Sequence, residues 1–300
     1  MNMIGLRQHN TRHAAAGFTL VELIIVIVLI GVVAAITAAF ITRPIEGYVD
    51  LTRRAALVDS AESALRRMAR DIRIALPNSV RVTNTGSGYA LEMLPTLDGG
   101  RYDTDLDFSA ADADFNIVGC FHNFTIPGTF STTSHRLVIN NLGTAVANEN
   151  AYTSSGAQGV ITPGGTTIEY SESPGPGCGG VNVHHINIGG GGYQFKQNSP
   201  LQRLFVIQTP VTYLCDETAQ TLTRYWGYAI TADQTTIDTD AELVGVGAST
   251  ARIADHVNVC SATTTTGNVQ QRGLVTLDLG LEDQGETIRL IHQVQLDNSR

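Results

Sequence analysis

The sequence predicts an α+β protein in which a long N-terminal helix, transmembrane and then amphipathic, packs on a mainly antiparallel β body. Three observations predict this fold. Phe18 to Ile41 is an apolar run with a single charge, apolar residues then recur at helical spacing as far as Ala75, and from Ser79 onward their period is two. With 300 residues, of which 43% are hydrophobic, the chain can build a sizeable core.

The apolar run is long enough to cross a bilayer, for which about 20 residues suffice. Glu22 is its one charged residue, and a carboxylate inside a bilayer costs roughly 2.5–3.5 kcal/mol on insertion scales, so it is usually there for a partner. Two simpler interpretations are a plain membrane anchor and a secretory signal peptide cut near Ala39. The run exceeds the roughly 7–15 apolar residues of an ordinary signal peptide, which argues against the second.

The residues around Glu22 sharpen this interpretation. A short leader with two arginines and no acid is followed by Gly17-Phe18-Thr19-Leu20-Val21-Glu22-Leu23. This string resembles the prepilin signal of type IV pilins and of type II secretion pseudopilins. The resemblance implies that prepilin peptidase removes the leader, residues 1–17, by cutting after Gly17. Phe18 then becomes the N-methylated first residue, Glu22 serves subunit assembly, and the apolar segment is retained.

Helical periodicity continues beyond the apolar run. The spacing predicts one apolar face made of Leu51, Ala55, Val58, Ala61, Leu65, Met68, Ile72 and Ala75. Because proline cannot donate a helical hydrogen bond, Pro44 predicts a kink or local melting around residues 42–47. The resulting division is a leader over 1–17, a membrane and assembly helix over 18–41, an amphipathic helix over 42–78 and a β body over 79–300.

Charge is distributed unevenly along the chain. Eight of the 19 basic residues are arginines of segment 43–81, whereas segment 82–300 holds nine basic and 22 acidic residues. Two pairs, Asp50–Arg54 and Glu62–Arg66, have the spacing of helical ion pairs. The arginine stripe is either a solvated face or a surface for acidic bodies of neighbouring subunits. A net charge of −9 excludes a typical nucleic-acid binder.

Alternating apolar residues predict the strands of the body. The clearest pattern is a hairpin of 275–281 and 288–296 around a turn at 282–285. Further strands are predicted at 80–84, 90–94, 136–140, 166–170, 201–207, 211–215 and 222–230. Glycine- and proline-rich stretches at 156–165, 173–180 and 189–192 are predicted loops.

The body extends the resemblance to the minor pilins of the mannose-sensitive haemagglutinin (MSHA) pilus. It rests on segments 56–72, 75–81, 210–216, 222–225 and 292–298, while roughly 97–200 resembles them poorly. The type II secretion minor pseudopilin J has a similar plan. The resemblance implies a cytoplasmic N-terminus, an inner-membrane span and a periplasmic body that enters a pilus or pseudopilus. Implied partners are prepilin peptidase, other minor pilins, the major pilin, the inner-membrane assembly platform and membrane lipid. A tip adhesin is a further alternative.

Four cysteines lie outside the membrane helix and allow three disulfide pairings. We favour Cys120–Cys178 and Cys215–Cys260, because each pair falls within one stretch of the body. The rival interpretation is a zinc site with His122, His184 or His185, but no C-x-x-C or H-x-x-x-H spacing supports it.

An acidic stretch begins with the D-x-D-x-D spacing of a calcium loop, and the weak calcium candidates are Asp103, Asp105, Asp107 and Asp114. Phe108 stands where an EF-hand needs glycine, so a solvated acidic loop is the simpler interpretation. The same holds for the acidic segment 233–242. No nucleophile elbow, phosphate loop or dinucleotide fingerprint is present. We therefore expect neither enzymatic activity nor a required cofactor.

Overall fold

A computed structural model describes residues 17–123, 128–131, 135–143, 149–153, 156, 158–178, 182–265 and 273–296. Most of the predicted leader, residues 1–16, lies outside this part. The chain divides into two compact units, Met1–Arg53 and Arg54–Arg300, which are described separately. Helix α1 (Leu20–Arg73) contributes to both.

In the first unit, α1 is helical without interruption through Pro44. The prediction of local melting at residues 42–47 is therefore wrong. A proline removes only its own N–H donor from the helical ladder, so the intact turns on either side can keep the backbone helical. The predicted pair Asp50–Arg54 is also replaced, because the carboxylate of Asp50 accepts a 3.0 Å hydrogen bond from Arg53 instead.

The second unit is the β body, with 17 strands among the described residues. They are β1 (Arg81–Asn84), β2 (Gly88–Met93), β3 (Thr96–Tyr102), β4 (Asp114–Val118), β5 (Gly128–Ser131), β6 (Arg136–Ile139), β7 (Gln158–Gly159), β8 (Thr167–Cys178), β9 (Asn182–Ile188), β10 (Gln194–Phe195), β11 (Arg203–Ile207), β12 (Val211–Asp216), β13 (Thr221–Trp226), β14 (Ser249–Asp255), β15 (Val257–Thr265), β16 (Leu274–Asp283) and β17 (Glu286–Gln295). A short helix, α2 (Asp240–Gly245), precedes β14.

Three antiparallel sheets account for most of these strands. Their strand orders are β1-β2-β12-β13-β14, β5-β8-β9-β4-β3-β11-β6 and β15-β16-β17. A small parallel pair, β7 with β10, is the exception. The mainly antiparallel body predicted from the sequence is confirmed.

The C-terminal half of α1 packs against the five-stranded and three-stranded sheets. Its buried residues are Leu57, Ala61, Ala64, Leu65, Met68, Ala69 and Ile72. Asp71 adds a polar contact, since its Oδ2 accepts hydrogen bonds of 2.8 Å from Tyr213 Oη and from Arg224 Nε. The predicted stripe is confirmed from Ala61 onward, but Leu51, Ala55 and Val58 are exposed. Among the helix residues whose burial is described, Leu57 is the first buried one.

The seven-stranded sheet covers a second core. Its largest buried side chains include Phe115, Ile117, Tyr170 and Phe195. A smaller cluster brings Leu76, which follows α1, and Leu94, which lies between β2 and β3, together with Val138 on β6 and Ile207 on β11.

Several predictions about strand limits need correction. Strand β7 lies within the predicted loop 156–165, and β13 ends at Trp226 instead of residue 230. The hairpin β16–β17 turns on two residues, Gln284 and Gly285, with φ of 49° and 90°; a two-residue turn with both φ positive matches the twist of paired strands. Strand β8 also continues to Cys178, through a stretch predicted to be a loop, with a register shift between Pro174 and Cys178. Proline and glycine are tolerated in a strand where its register is irregular.

Candidate functional site

The N-terminal segment begins with three residues that precede the helix. Thr19 caps α1, since its Oγ1 accepts a 3.2 Å hydrogen bond from the Glu22 N–H and its carbonyl accepts one of 3.1 Å from the Leu23 N–H. Glu22 therefore lies in the first helical turn, where a negative charge is favourable. Apart from its chain neighbours, no described residue has an atom within 4 Å of the position that a Cβ on Gly17 would take. Packing against the described part of the chain thus gives no reason for glycine at this position.

The helix segment after Glu22 is exposed along the whole of its described apolar length. Leu20–Ala38 is 19 residues long with a mean hydropathy of 3.0, and none of it is buried. Phe18 is 78% exposed. By length and composition this helix can cross a membrane, and in the described part of the chain it is the one helix that can.

Glu22 is the charged residue of this span, and no ion pair of the described residues includes it. A carboxylate transferred with the helix into an apolar medium requires a cationic or hydrogen-bonding partner. The segment therefore combines a small residue, an aromatic residue and an unpaired acid at the start of an exposed apolar helix.

Comparison with known families gives one match. The prokaryotic N-terminal methylation motif matches residues 12–38, which include Gly17, Phe18 and Glu22. The match supports the assignment of the chain to the class of type IV pilins and pseudopilins, with an N-terminal helix that anchors it in a membrane. The motif implies processing by prepilin peptidase and assembly with other pilins. The α+β fold of the body is consistent with a pilin-like architecture. No curated protein and no solved structure matches the chain.

In the acidic stretch that contains the calcium candidates, the carboxylates of Asp103, Asp105 and Asp107 accept hydrogen bonds from nearby residues of the body. Asp107 Oδ1 accepts from the N–H and the hydroxyl of Ser109, both at 2.7 Å, and these bonds lower the pKa of the Asp107 carboxyl. Asp105 Oδ2 accepts from the backbone N–H and side-chain amide of Asn116, at 3.2 and 3.0 Å. Asp103 Oδ1 accepts from the Thr104 N–H at 2.7 Å.

Among the described residues, no group of three or more acidic, histidine or cysteine side chains is arranged to hold a metal ion. Calcium binding by Asp103, Asp105, Asp107 and Asp114 therefore stays a prediction, which calcium titration of the purified chain would test.

The three histidines that were candidate zinc ligands make separate hydrogen bonds within the body. His184 is buried on β9, where its Nδ1 accepts a 2.9 Å hydrogen bond from the Phe121 N–H. His185, the next residue of the strand, has its Nδ1 3.0 Å from Asn116 Oδ1. Successive strand residues point to opposite faces, so His184 and His185 do not converge on one ion. The backbone N–H of His122 donates to Asp98 Oδ2 at 2.6 Å.

Three of the four cysteines are seen in disulfide form. Cys215 on β12 and Cys260 on β15 are joined, with an S–S distance of 2.06 Å, which is the pairing favoured from the sequence. Cys120 is also disulfide-bonded. The side chain of Cys178 lies outside the described part, so the pairing of Cys120 with Cys178 remains a prediction.

Sequence reasoning missed a buried polar network in the body. Arg81 on β1 lies opposite Glu92 on β2, and its Nε donates to Glu92 Oε2 at 2.6 Å. Tyr228 Oη donates to the other carboxylate oxygen at 3.1 Å. The alternation of 80–84 and 90–94 predicts the two strands, but it gives no register that would set these two charges side by side.

Proposed function

We propose that the chain is a minor type IV pilin of the MSHA type, similar to the MSHA minor pilin MshO, and that it acts in starting the filament or in its tip complex. The observation that supports this most strongly is Gly17-Phe18 followed by Glu22 at the start of an exposed apolar helix. The resemblance of segments 56–72, 210–216 and 292–298 to MSHA minor pilins adds the finer assignment.

In this proposal the chain is the substrate of an enzyme and has no catalytic role of its own. Prepilin peptidase cuts after Gly17, where the missing side chain leaves the backbone accessible. The new amino group on Phe18 is N-methylated and carries a positive charge. The leader stays on the cytoplasmic side of the inner membrane, and the body is periplasmic, where disulfides persist.

Glu22 then determines entry into the filament. In a bundle of such helices staggered by a few residues, the Glu22 carboxylate of one subunit pairs with the Phe18 ammonium of another. Removing one partner of a buried ion pair costs about 3–5 kcal/mol, which is enough to decide whether a subunit is incorporated. The partners are other minor pilins, the major pilin and the inner-membrane assembly platform.

The first experiment is the N-terminal sequence and intact mass of the chain purified from membranes. We expect a chain that starts at N-methylated Phe18. A start near Phe40 would identify an ordinary signal peptide and a released body, and retention of Met1 would identify a plain anchor. Either of these results contradicts the proposal.

The second experiment tests the role of Glu22. We expect E22A to be processed and folded but to leave the cells with few or no pili. The matched control is E62A, which removes a glutamate from the solvent-exposed part of the same helix and should leave pilus number unchanged. Normal piliation with E22A would contradict the proposed mechanism.

Deletion of the gene distinguishes the finer alternatives. A minor pilin predicts loss of pili with intact protein secretion. Loss of secretion with intact pili would identify a type II secretion minor pseudopilin of the J type. Normal pili that no longer adhere would identify a tip adhesin.

A further inference from the structure

A cleft lies in the body between the C-terminal end of α1 and the five-stranded sheet. Its volume is about 330 Å³, within the range of roughly 300–1,000 Å³ that ligand sites occupy. Residues from the helix end, from the paired ends of β12 and β13 and from the connection between β2 and β3 line it. They include Asp71, Ile74, Pro95, Val211, Arg224 and Trp226.

The cleft has an apolar wall and a fixed floor. Ile74, the residue after α1, is 53% exposed, and Val211 lies opposite Trp226 on the paired strands. Asp71 Oδ2 accepts a 2.8 Å hydrogen bond from Arg224 Nε, and the Arg224 guanidinium lies 5.0 Å from the centroid of the Trp226 ring. Because Asp71 and Arg224 neutralise each other, the lining is close to neutral and is held in place before any partner binds.

Three arginines of α1 lie beside this cleft without an ionic partner. Arg67 and Arg70 come four residues before Asp71 and Ile74, and residues at that spacing are neighbours on a helix surface. Arg73 directly precedes Ile74. All three arginines are exposed, and no ion pair of the described residues includes them. A cation near a helix C-terminus is favourable in itself, but that interaction leaves the guanidinium donors available to a carboxylate.

The region around α2 has the complementary character. Val244 on α2 is 54% exposed, and Val246, which follows the helix, is 50% exposed. Asp240 and Glu242 lie in the first turn of the same helix. No ion pair of the described residues includes an acid of segment 233–242. This region therefore presents two apolar side chains beside negative charge that its own chain does not neutralise.

The cleft and α2 lie on opposite faces of the five-stranded sheet. Successive residues of a strand point to opposite faces. On β13, Arg224 contacts Asp71 of α1, whereas its neighbour Tyr225 donates a hydrogen bond to Asp240 of α2. The two surfaces of one copy of the body therefore face away from each other, and each is accessible to another molecule.

We infer that the cleft at the end of α1 binds the α2 region of a second copy of this chain. The two exposed valines enter the cleft beside Ile74, and the carboxylates of α2 lie against the three unpaired arginines of α1. Charge complementarity selects this occupant, and the exposed apolar side chains supply the buried centre of the contact. A contact between two different surfaces repeats from copy to copy instead of closing in a symmetric pair. The inference goes beyond the proposed function and does not depend on it.

Sedimentation velocity of the full chain purified in detergent measures this self-association. We expect the wild type to form species larger than the monomer as its concentration rises, and added salt to weaken them. R70Q/R73Q removes charge beside the cleft and should weaken the association about fivefold. V244D places a carboxylate on the surface that enters the cleft and should weaken it about tenfold or more.

A mixing experiment tests whether the contact joins two different surfaces. R70Q/R73Q keeps α2 intact and V244D keeps the cleft intact, so an equimolar mixture should form a complex of one copy of each, although neither variant associates strongly alone. If V244D does not fold, V246D replaces it. The matched controls are R101Q, at an exposed arginine of β3, and V118D, at an exposed valine of β4. Both should associate like the wild type.

Three outcomes would overturn the inference. The first is a wild type that stays monomeric at every concentration. The second is association that neither R70Q/R73Q nor V244D weakens, as contact through the apolar N-terminal helices alone would give. The third is a mixture of the two variants that does not combine, which would mean that the cleft and α2 do not bind each other.

Discussion

Arg81 and Glu92 form a buried ion pair whose charges are satisfied from several directions. Arg81 is 8% exposed and Glu92 is fully buried. The two remaining guanidinium nitrogens of Arg81 donate to the carbonyls of Ala232 and Thr231, each at 2.7 Å. Burial raises the pKa of the Glu92 carboxyl, and the charge of Arg81 opposes this shift. Such a pair is costly to break, because each member alone would be an uncompensated buried charge.

Replacing one member should therefore destabilise the body strongly. We expect R81M to lower the free energy of unfolding by about 3–5 kcal/mol, measured by urea denaturation of the full chain in detergent. The matched control is R66M, which removes an exposed arginine paired with Glu62 and should cost less than about 1 kcal/mol. Similar losses in the two variants would contradict the role given to burial.

His184 makes the stability of the body depend on pH. Its burial lowers the pKa of the imidazole below the usual 6.5, although Glu172 and Asp98 nearby act in the opposite direction. The unfolded chain therefore takes up a proton at a pH where the folded chain does not, and the free energy of unfolding falls as the pH drops below about 6.5.

The variant H184Q tests this dependence, since a glutamine side chain can still accept the Phe121 N–H. We expect the wild type to lose more stability than H184Q between pH 7.5 and 5.5, measured by thermal unfolding at each pH. A comparison at pH 8 gives the packing effect of the substitution alone. An equal loss in the two proteins would show that His184 does not contribute.

At the scale of elements, the periodicity of apolar residues predicts helices and strands that have one buried face, and it misses strands that do not. The C-terminal half of helix α1 and strand β17 each have one face turned towards the core, so their period is visible in the sequence. Strand β14 has almost no buried residue, and β3 contains two successive glycines. Neither pattern distinguishes a strand from a loop, because pairing with neighbouring strands, rather than burial of one face, holds them in place.

The candidate assembly residues were predictable for the opposite reason. Gly17, Phe18 and Glu22 depend on sequence spacing alone and need no partner from the body. The buried Arg81–Glu92 pair depends on the register of β1 with β2. The sequence predicts both strands but not this register, so it could not reveal the pair.

The packed half of α1 leads to a prediction about the same element. Met68 is fully buried against the sheets, whereas Val58, ten residues earlier on the helix, is 37% exposed. M68A should lower the free energy of unfolding by about 2–5 kcal/mol, because it leaves a cavity. V58A should stay within about 0.5 kcal/mol of the wild type. Urea denaturation measures both, and equal effects would mean that the helix is not packed as described.

At the scale of the whole body, a single core joins two sheets. Buried residues of β2 and β12 meet those of β15, β16 and β17 around the C-terminal half of α1. The Cys215–Cys260 disulfide ties β12 of the five-stranded sheet to β15 of the three-stranded sheet. It therefore closes a loop that includes β13 and β14, and it keeps the C-terminal hairpin with the rest of the core.

The disulfide should act mainly on the unfolded chain. A cross-link across 45 residues restricts the unfolded ensemble by about 4 kcal/mol in the loop-entropy estimate. We expect C215A/C260A to lower the free energy of unfolding by roughly this amount, measured by urea denaturation without reductant. The double variant C215S/C260S also lacks the cross-link but places two hydroxyl groups in the site. The difference in unfolding free energy between the serine and alanine variants therefore measures the effect of polarity alone. If the alanine pair unfolds at the wild-type urea concentration, packing alone holds the two sheets together and the cross-link contributes nothing.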